Sequence, residues 1–229
     1  MIKVFLILCT LNFKILYADQ TILVLSNDFN TSIGKLYSFE NGAAVFPPID
    51  VNIGRNGLAW DREDKVFTHH IDQPYKREGD GKSPAGIFSL LSSFGTEEQK
   101  FNYPYIMSNS QLICVDDVNS SLYNNLVLIP LIQPASFEYM KRKDDQYKLG
   151  IIVAYNPLQI KGNGSCIFLH VEKYPMHPTA GCTSMKYEDI KKIVLWLDST
   201  KNPHLIQIPK KYFTPDIAKR FSIPFFVQN

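Results

Sequence analysis

The chain lacks any apolar run long enough to cross a membrane. Its most apolar stretch, Val4 to Phe13, is cut short by Lys14, and a span needs about 20 residues. It has no Cys-x-x-Cys pair and no His-Glu-x-x-His, so the common zinc frameworks are missing. A zinc site would have to be assembled from His170, His177 and Cys182, and the expectation is that neither a metal nor another cofactor is used. Net charge is small, +2 from 24 Lys and Arg against 22 Asp and Glu. Phosphate-backbone binding needs clustered positive charge; the Lys191-Lys192 and Lys210-Lys211 pairs read as solvated surface, so no nucleic-acid partner is expected. Internal repeats and low-complexity segments are also absent.

What remains is an ordinary globular balance, 45% hydrophobic and 20% charged over 229 residues, which fits one domain. The N-terminus stands apart. Met1-Ile2-Lys3 gives a positive start, an apolar run follows, and Ala18 offers a small residue for cleavage. This reads as a secretory signal peptide over residues 1–18, with residues 19–229 as a single exported domain of the periplasm or cell envelope and no stable membrane span after cleavage. Cleavage would remove Lys3 and Lys14 and no acid, so 24 basic residues fall to 22 and balance the 22 acidic ones. Three cysteines would remain, Cys114, Cys166 and Cys182. Exported thiols tend to pair, and an odd number leaves one over as a reactivity candidate. The obvious division is a Cys114–Cys166 disulfide with Cys182 free, although the sequence alone does not fix the pairing.

The residue pattern is strand-rich. Thr21 to Leu25, Gly34 to Phe39, Ala43 to Phe46, Gly86 to Leu91, Leu126 to Ile132, Leu149 to Tyr155, Cys166 to Val171 and Leu205 to Ile208 all read as strands, with Glu40-Asn41-Gly42 as a hairpin turn. Residues 54–86 read as long loops with short strands. Lys186 to Leu197 is the clearest helix: Ile190, Ile193, Val194 and Leu197 fall on one face, and Glu188 and Asp189 sit in the first turn, where the helix dipole favours them. Ser136 to Lys143 is expected as a short helix and Asp216 to Phe221 as a helical turn. The fold class is therefore mainly β or mixed α+β.

One segment carries chemistry. Cys166-Ile-Phe-Leu-His170 is a strand ending in a histidine; a Pro-rich loop follows to Pro178; Thr179-Ala180-Gly181-Cys182-Thr183 then leads towards a helix. A cysteine attacks as the thiolate, and a nearby histidine and a helix N-terminus both favour that form. Gly181 leaves the backbone free to approach a substrate, and the amides of Gly181, Cys182 and Thr183 are candidates for an oxyanion hole. A free cysteine is also commonly a small buried hydrophobe, so the Gly-Cys step alone is a weak motif.

The stretch resembles the signature of the L,D-transpeptidase (YkuD-type) family: a histidine, a variable loop, then Ser or Thr, any residue, Gly, Cys. Here it is His170, the loop, and Thr179-Ala180-Gly181-Cys182. Upstream, Pro84, Gly86 and Phe88 within Lys76 to Phe88 resemble the family's Pro-x-Gly-x-Phe strand. Gly54-Arg-Asn-Gly-Leu-Ala-Trp60 and Cys114-Val-Asp-Asp117 resemble a subgroup from Gram-negative bacteria. The resemblance covers roughly residues 50–200. Departures are Ala180 where many members have a second histidine, Ser184 where many have Arg or Asn, and a spacing of twelve from His170 to Cys182.

The resemblance implies a β-rich catalytic domain with one or two helices, acting on peptidoglycan stem peptides without a metal. Cys182 would attack the carbonyl between diaminopimelate and D-Ala, with His170 as its base. An amine acceptor would then make a transpeptidase, and water a carboxypeptidase or amidase. A non-catalytic wall-binding module is the alternative of another class. Thr179 and His177 are supporting candidates, and Arg55, Lys76, Arg77, Tyr123 and Asn124 are candidates for substrate contact. His69, His70 and His204 read as ordinary loop or strand residues, and Trp60 as core.

Overall fold

The computed structural model describes residues 20–226. The signal peptide expected over residues 1–18 lies outside them. The described chain begins with β1 (Gln20–Ser26), β2 (Ile33–Glu40), β3 (Ala43–Ala44), β4 (Ile49–Asn52) and β5 (Leu58–Trp60). The long β6 (Ser83–Gly95) is followed by β7 (Tyr105–Met107), β8 (Leu112–Val115), β9 (Leu126–Leu128) and β10 (Phe137–Tyr139). Then come β11 (Leu149–Val153), β12 (Phe168–Val171), β13 (Thr183–Met185), α1 (Tyr187–Trp196), β14 (His204–Pro209) and α2 (Pro215–Arg220).

The main sheet runs β1-β14-β6-β11-β12-β13-β4-β2, and β2 pairs back to β1 from Glu40 opposite Gln20 to Gly34 opposite Ser26. Eight strands thus close on themselves, which removes the exposed edges that invite intermolecular pairing. The sequence reason is visible in β1, where Ile22, Leu23, Val24 and Leu25 are all buried, on both faces of the strand. The enclosed core includes Leu36, Val51, Ile53, Trp60, Leu169 and Ile206. Helix α1 buries Ile190, Ile193 and Val194 in that same core, and each such side chain stabilises the fold by about 1.5–3 kcal/mol. Its bounds lie within one residue of the expected ones.

A second sheet, β10-β8-β9, stands apart from the barrel. Its β8 is joined to the approach to β12 by a Cys114–Cys166 disulfide, and Cys182 is the free thiol among the described residues. Here two sequence expectations fail. Residues 136–143 form no helix. Phe137 and Tyr139 flank Glu138 in β10, a strand alternation that puts the aromatics on one face and the carboxylate on the other. The strand expected to reach Ile132 stops at Leu128, ahead of Pro130, which cannot donate to a ladder.

Candidate active site

The ladders fix where the histidine and the cysteine go. β12 lies between β11 and β13, with His170 opposite Gly150 on one side and Ser184 on the other. Cys182 immediately precedes β13 and therefore lies beside the start of β12, at Phe168. Its Sγ accepts from the Phe168 N–H and donates to the Cys166 carbonyl, both at 3.4 Å. The residue after it, Thr183, is tied to the barrel floor through Gln207 Oε1 at 2.6 Å. Cys182 leads into a strand, with α1 beginning only at Tyr187. The helix N-terminus expected to favour its thiolate is thus not adjacent to it.

The backbone around Cys182 is held by the upstream glycine-rich segments. Thr179 Oγ1 donates to the Cys182 carbonyl at 2.6 Å and accepts from the Gly181 N–H at 3.1 Å. Ser83 Oγ donates to the same carbonyl at 2.8 Å and accepts from the Gly54 N–H at 2.8 Å. Arg55 N–H donates to the Thr179 carbonyl at 2.8 Å, and Thr179 N–H to Ile53 at 3.0 Å. Gly54 is required for this approach: a Cβ there would sit 2.5 Å from the Gly81 carbonyl oxygen, closer than atoms pack.

Cys182 and His170 line one cavity of about 410 Å³, together with Arg55, Glu138, Arg142, Gln146, Tyr147, Lys173, His177, Pro178, Thr179 and Ala180. Both are nearly enclosed, with 8% and 4% of their surface exposed. Burial pushes the Cys182 thiol up to about 12, and the nearby Glu138 carboxylate adds to that; the Phe168 N–H, Lys76 and the Tyr147 hydroxyl work in the other direction. Burial also takes His170 down to about 4, against the Val171 and Gln146 carbonyls, which favour a protonated ring. His170 Nδ1 lies 2.8 Å from the Val171 carbonyl oxygen, which orients the ring. The resting pair is accordingly a neutral thiol and a neutral imidazole. The thiolate expected at rest is not the form this environment favours, because desolvation outweighs the hydrogen bonds.

Of the five candidates for substrate contact, Arg55 alone lines this cavity. Lys76 is buried, its ammonium bound to Asp80 Oδ1 and the Arg77 carbonyl, each at 2.7 Å. Arg77 is exposed on that same turn, outside the cavity lining. Tyr123 donates to Glu78 at 2.5 Å, and Asn124 holds the Tyr155 and Asn156 carbonyls and the Cys166 N–H. These three buried or half-buried side chains saturate loop backbone behind the site, a demand that sequence position does not reveal. His177 does line the cavity, its ring 4.3 Å from that of Tyr174. Of the three candidate oxyanion donors, the Gly181 amide is already engaged by Thr179. Ser184 lies buried in β13, its hydroxyl without a hydrogen-bond partner. Among the described residues no three His, Cys, Asp or Glu side chains converge as metal ligands.

The wall formed by Glu138, Arg142, Gln146 and Tyr147 was missed from sequence. Arg142 binds Asp144 through two hydrogen bonds, 2.9 and 2.6 Å, and its guanidinium lies 5.1 Å over the Tyr147 ring. That ring meets His170 edge-on at 5.3 Å, and its hydroxyl donates to Glu138 at 2.5 Å. The available signal was a carboxylate between two aromatics in a strand-like alternation, next to a dense charged turn.

The model of the L,D-transpeptidase catalytic domain (YkuD) matches residues 28–208, a range that runs from β2 into β14 and includes His170 and Cys182. The chain belongs to the L,D-transpeptidase catalytic-domain family. No curated protein matches it. Among solved structures it is similar to the helical cell shape determining protein Pgp2 (K307A mutant) of Campylobacter jejuni. That likeness has 15% identity and a TM-score of 0.43, covering 90% of this chain and 53% of that one. The chain therefore spans about half the length of that structure. The β-rich barrel agrees with the fold implied for the family. No helix among the described residues is long and apolar enough to cross a membrane.

Proposed function

We propose that this protein is an exported peptidoglycan L,D-transpeptidase with Cys182 as nucleophile and His170 as general base. The observation that carries the reading is that this thiol and this imidazole, twelve residues apart in sequence, line one cavity inside a domain of this family. A peptide carbonyl enters beside Sγ. The thiol proton passes to His170, Sγ bonds to the carbonyl carbon, and the developing oxyanion takes the Cys182 amide. Collapse breaks the bond to D-Ala, whose nitrogen receives the proton from His170. The thioester is then attacked by an amine, which loses a proton to His170 as the thiol is restored. The carbonyls of Val171 and Gln146 stabilise His170 while it carries the proton. Thr179 and Ser83 do not touch the reacting atoms; by holding the Cys182 carbonyl they aim its side chain, and Arg55 and His177 are the side chains placed to meet the peptide.

The test is mass spectrometry of tetrapeptide muropeptides incubated with residues 19–229 and with Cys182→Ala. Release of D-Ala by the unsubstituted protein alone supports the nucleophile, and dimeric products mark the transpeptidase. Tripeptide monomers would mark the carboxypeptidase, and no change with either protein would refute the reading. Full turnover in His170→Ala would refute the base assignment and transfer it to His177.

A further inference from the structure

The Glu138 carboxylate is the feature the reaction above leaves unused. It lines the same cavity as Cys182, where a carboxylate opposes formation of a thiolate. It is also poorly supplied with positive charge: Asp116 and Glu78 lie on its side, Arg142 alone offsets them, and burial holds the carboxyl above its usual range. Arg142 is already committed to Asp144 through both of its bonds. Lys76, the cation that acts on Cys182, is committed to Asp80. One Glu138 oxygen takes the Tyr147 hydroxyl, and the other takes no hydrogen bond among the described residues. The same cavity is also lined by the cations Arg55 and Lys173.

We propose that Glu138 is a specificity residue that receives an ammonium group of the bound peptide, while Arg55 and Lys173 of the same cavity receive its carboxylate. This rests on the peptide-substrate reading and deepens it: the donor is a zwitterionic stem whose free side-chain amine lies beside the scissile bond. The cation missing from this corner arrives with the substrate. Until then Glu138 keeps the sulfur protonated; once paired, it no longer opposes the thiolate. Tyr147 holds the carboxylate in place and faces both Cys182 and His170, so the amine contact and the nucleophile share one rigid wall.

The test uses the folded protein and charged thiol reagents, so it does not depend on turnover. Cys182 is treated with aminoethyl and sulfonatoethyl methanethiosulfonates, each forming a mixed disulfide with loss of methanesulfinate, and rates are normalised to those of free cysteine. The expected result is a preference of about tenfold for the cationic reagent, one pKa unit's worth of interaction. That preference is lost in Glu138→Gln, whose Cys182 also reacts faster with neutral iodoacetamide. A preference for the anionic reagent, an unchanged ratio in Glu138→Gln, or failure of both reagents to reach Cys182 would overturn the proposal. If the variant does not fold, Cys182→Ala decides: a diaminopimelate tetrapeptide should bind about tenfold tighter than its side-chain N-acetylated form, and equal binding, or none of either, refutes the contact. Tight binding of the free amine to Cys182→Ala, with no turnover of it by the unsubstituted protein, would leave the ammonium site standing and sink the transpeptidase reading.

Discussion

Replacing Cys114 and Cys166 by serine should cost about 4 kcal/mol of stability and disable the site. The bond closes a loop of 52 residues in sequence separation. The chain-entropy relation then gives about 0.6 kcal/mol from its constant part and about 3.5 kcal/mol from its logarithm at 25 °C. That is a large fraction of the 5–15 kcal/mol typical of a domain. The damage should be directional. Cys114 lies opposite Glu138 in the β8–β10 ladder, and the Cys166 carbonyl accepts the Cys182 thiol. One bond therefore ties the wall bearing Glu138 to the backbone bearing the nucleophile. Urea unfolding followed by fluorescence measures the loss as a lower midpoint with an unchanged slope. A loss under about 1 kcal/mol would refute the reasoning, since it would mean that β8 and β12 are held together without the bond.

Other outcomes follow from the same coordinates. With its thiol near 12, Cys182 of the substrate-free protein should react slowly with iodoacetamide at pH 7, with a rate rising about tenfold per pH unit; a fast, pH-independent rate would mean a resting thiolate–imidazolium pair. His170, at about 4 when folded and about 6.5 when unfolded, binds its proton more readily in the unfolded chain. Stability should therefore fall as pH drops from 6.5 to 4, by about 3 kcal/mol in total, and His170→Gln should remove that increment from the pH–stability curve. Asp80→Ala should destabilise by about 3–5 kcal/mol by leaving the buried Lys76 ammonium without its partner, measured by urea midpoint. Ile193→Ala on α1 should cost about 2–5 kcal/mol while leaving the reactivity of Cys182 in the folded protein unchanged.

How much of this was legible depends on the range of the signal. Helix α1 was readable because its apolar spacing is local and its buried face reports directly on period. Strand β1 was readable as a continuous β-branched and aliphatic run. That the thiol and imidazole share one cavity was readable because His170 and Cys182 lie only twelve residues apart. The far wall was not. Glu138 comes to this cavity on β10, part of a separate sheet that the Cys114–Cys166 bond ties to the approach to β12, and Tyr147 comes from the turn before β11, the barrel neighbour of β12. Lys76, Tyr123 and Asn124, expected as substrate contacts, lie outside the cavity lining for a related reason. Polar residues in glycine-rich loops look available in sequence, but a loop packed behind a barrel must satisfy its own backbone, and these side chains do that.

The two neutral groups at the centre of the site constrain any mechanism it runs. Moving a proton from Cys182 to His170 creates two charges in a nearly closed cavity, and because burial pushes the thiol up and the imidazole down the step is uphill before any attraction between them. Their mutual attraction and the Val171 and Gln146 carbonyls recover part of this. The remainder has to come from the bound substrate, through its charges and through the donors that meet its oxyanion as it forms. A site of this kind stays chemically quiet when empty and becomes nucleophilic only around a peptide that completes it. On the ammonium-site proposal, Glu138 together with Arg55 and Lys173, which line the same cavity, decides which peptides do so.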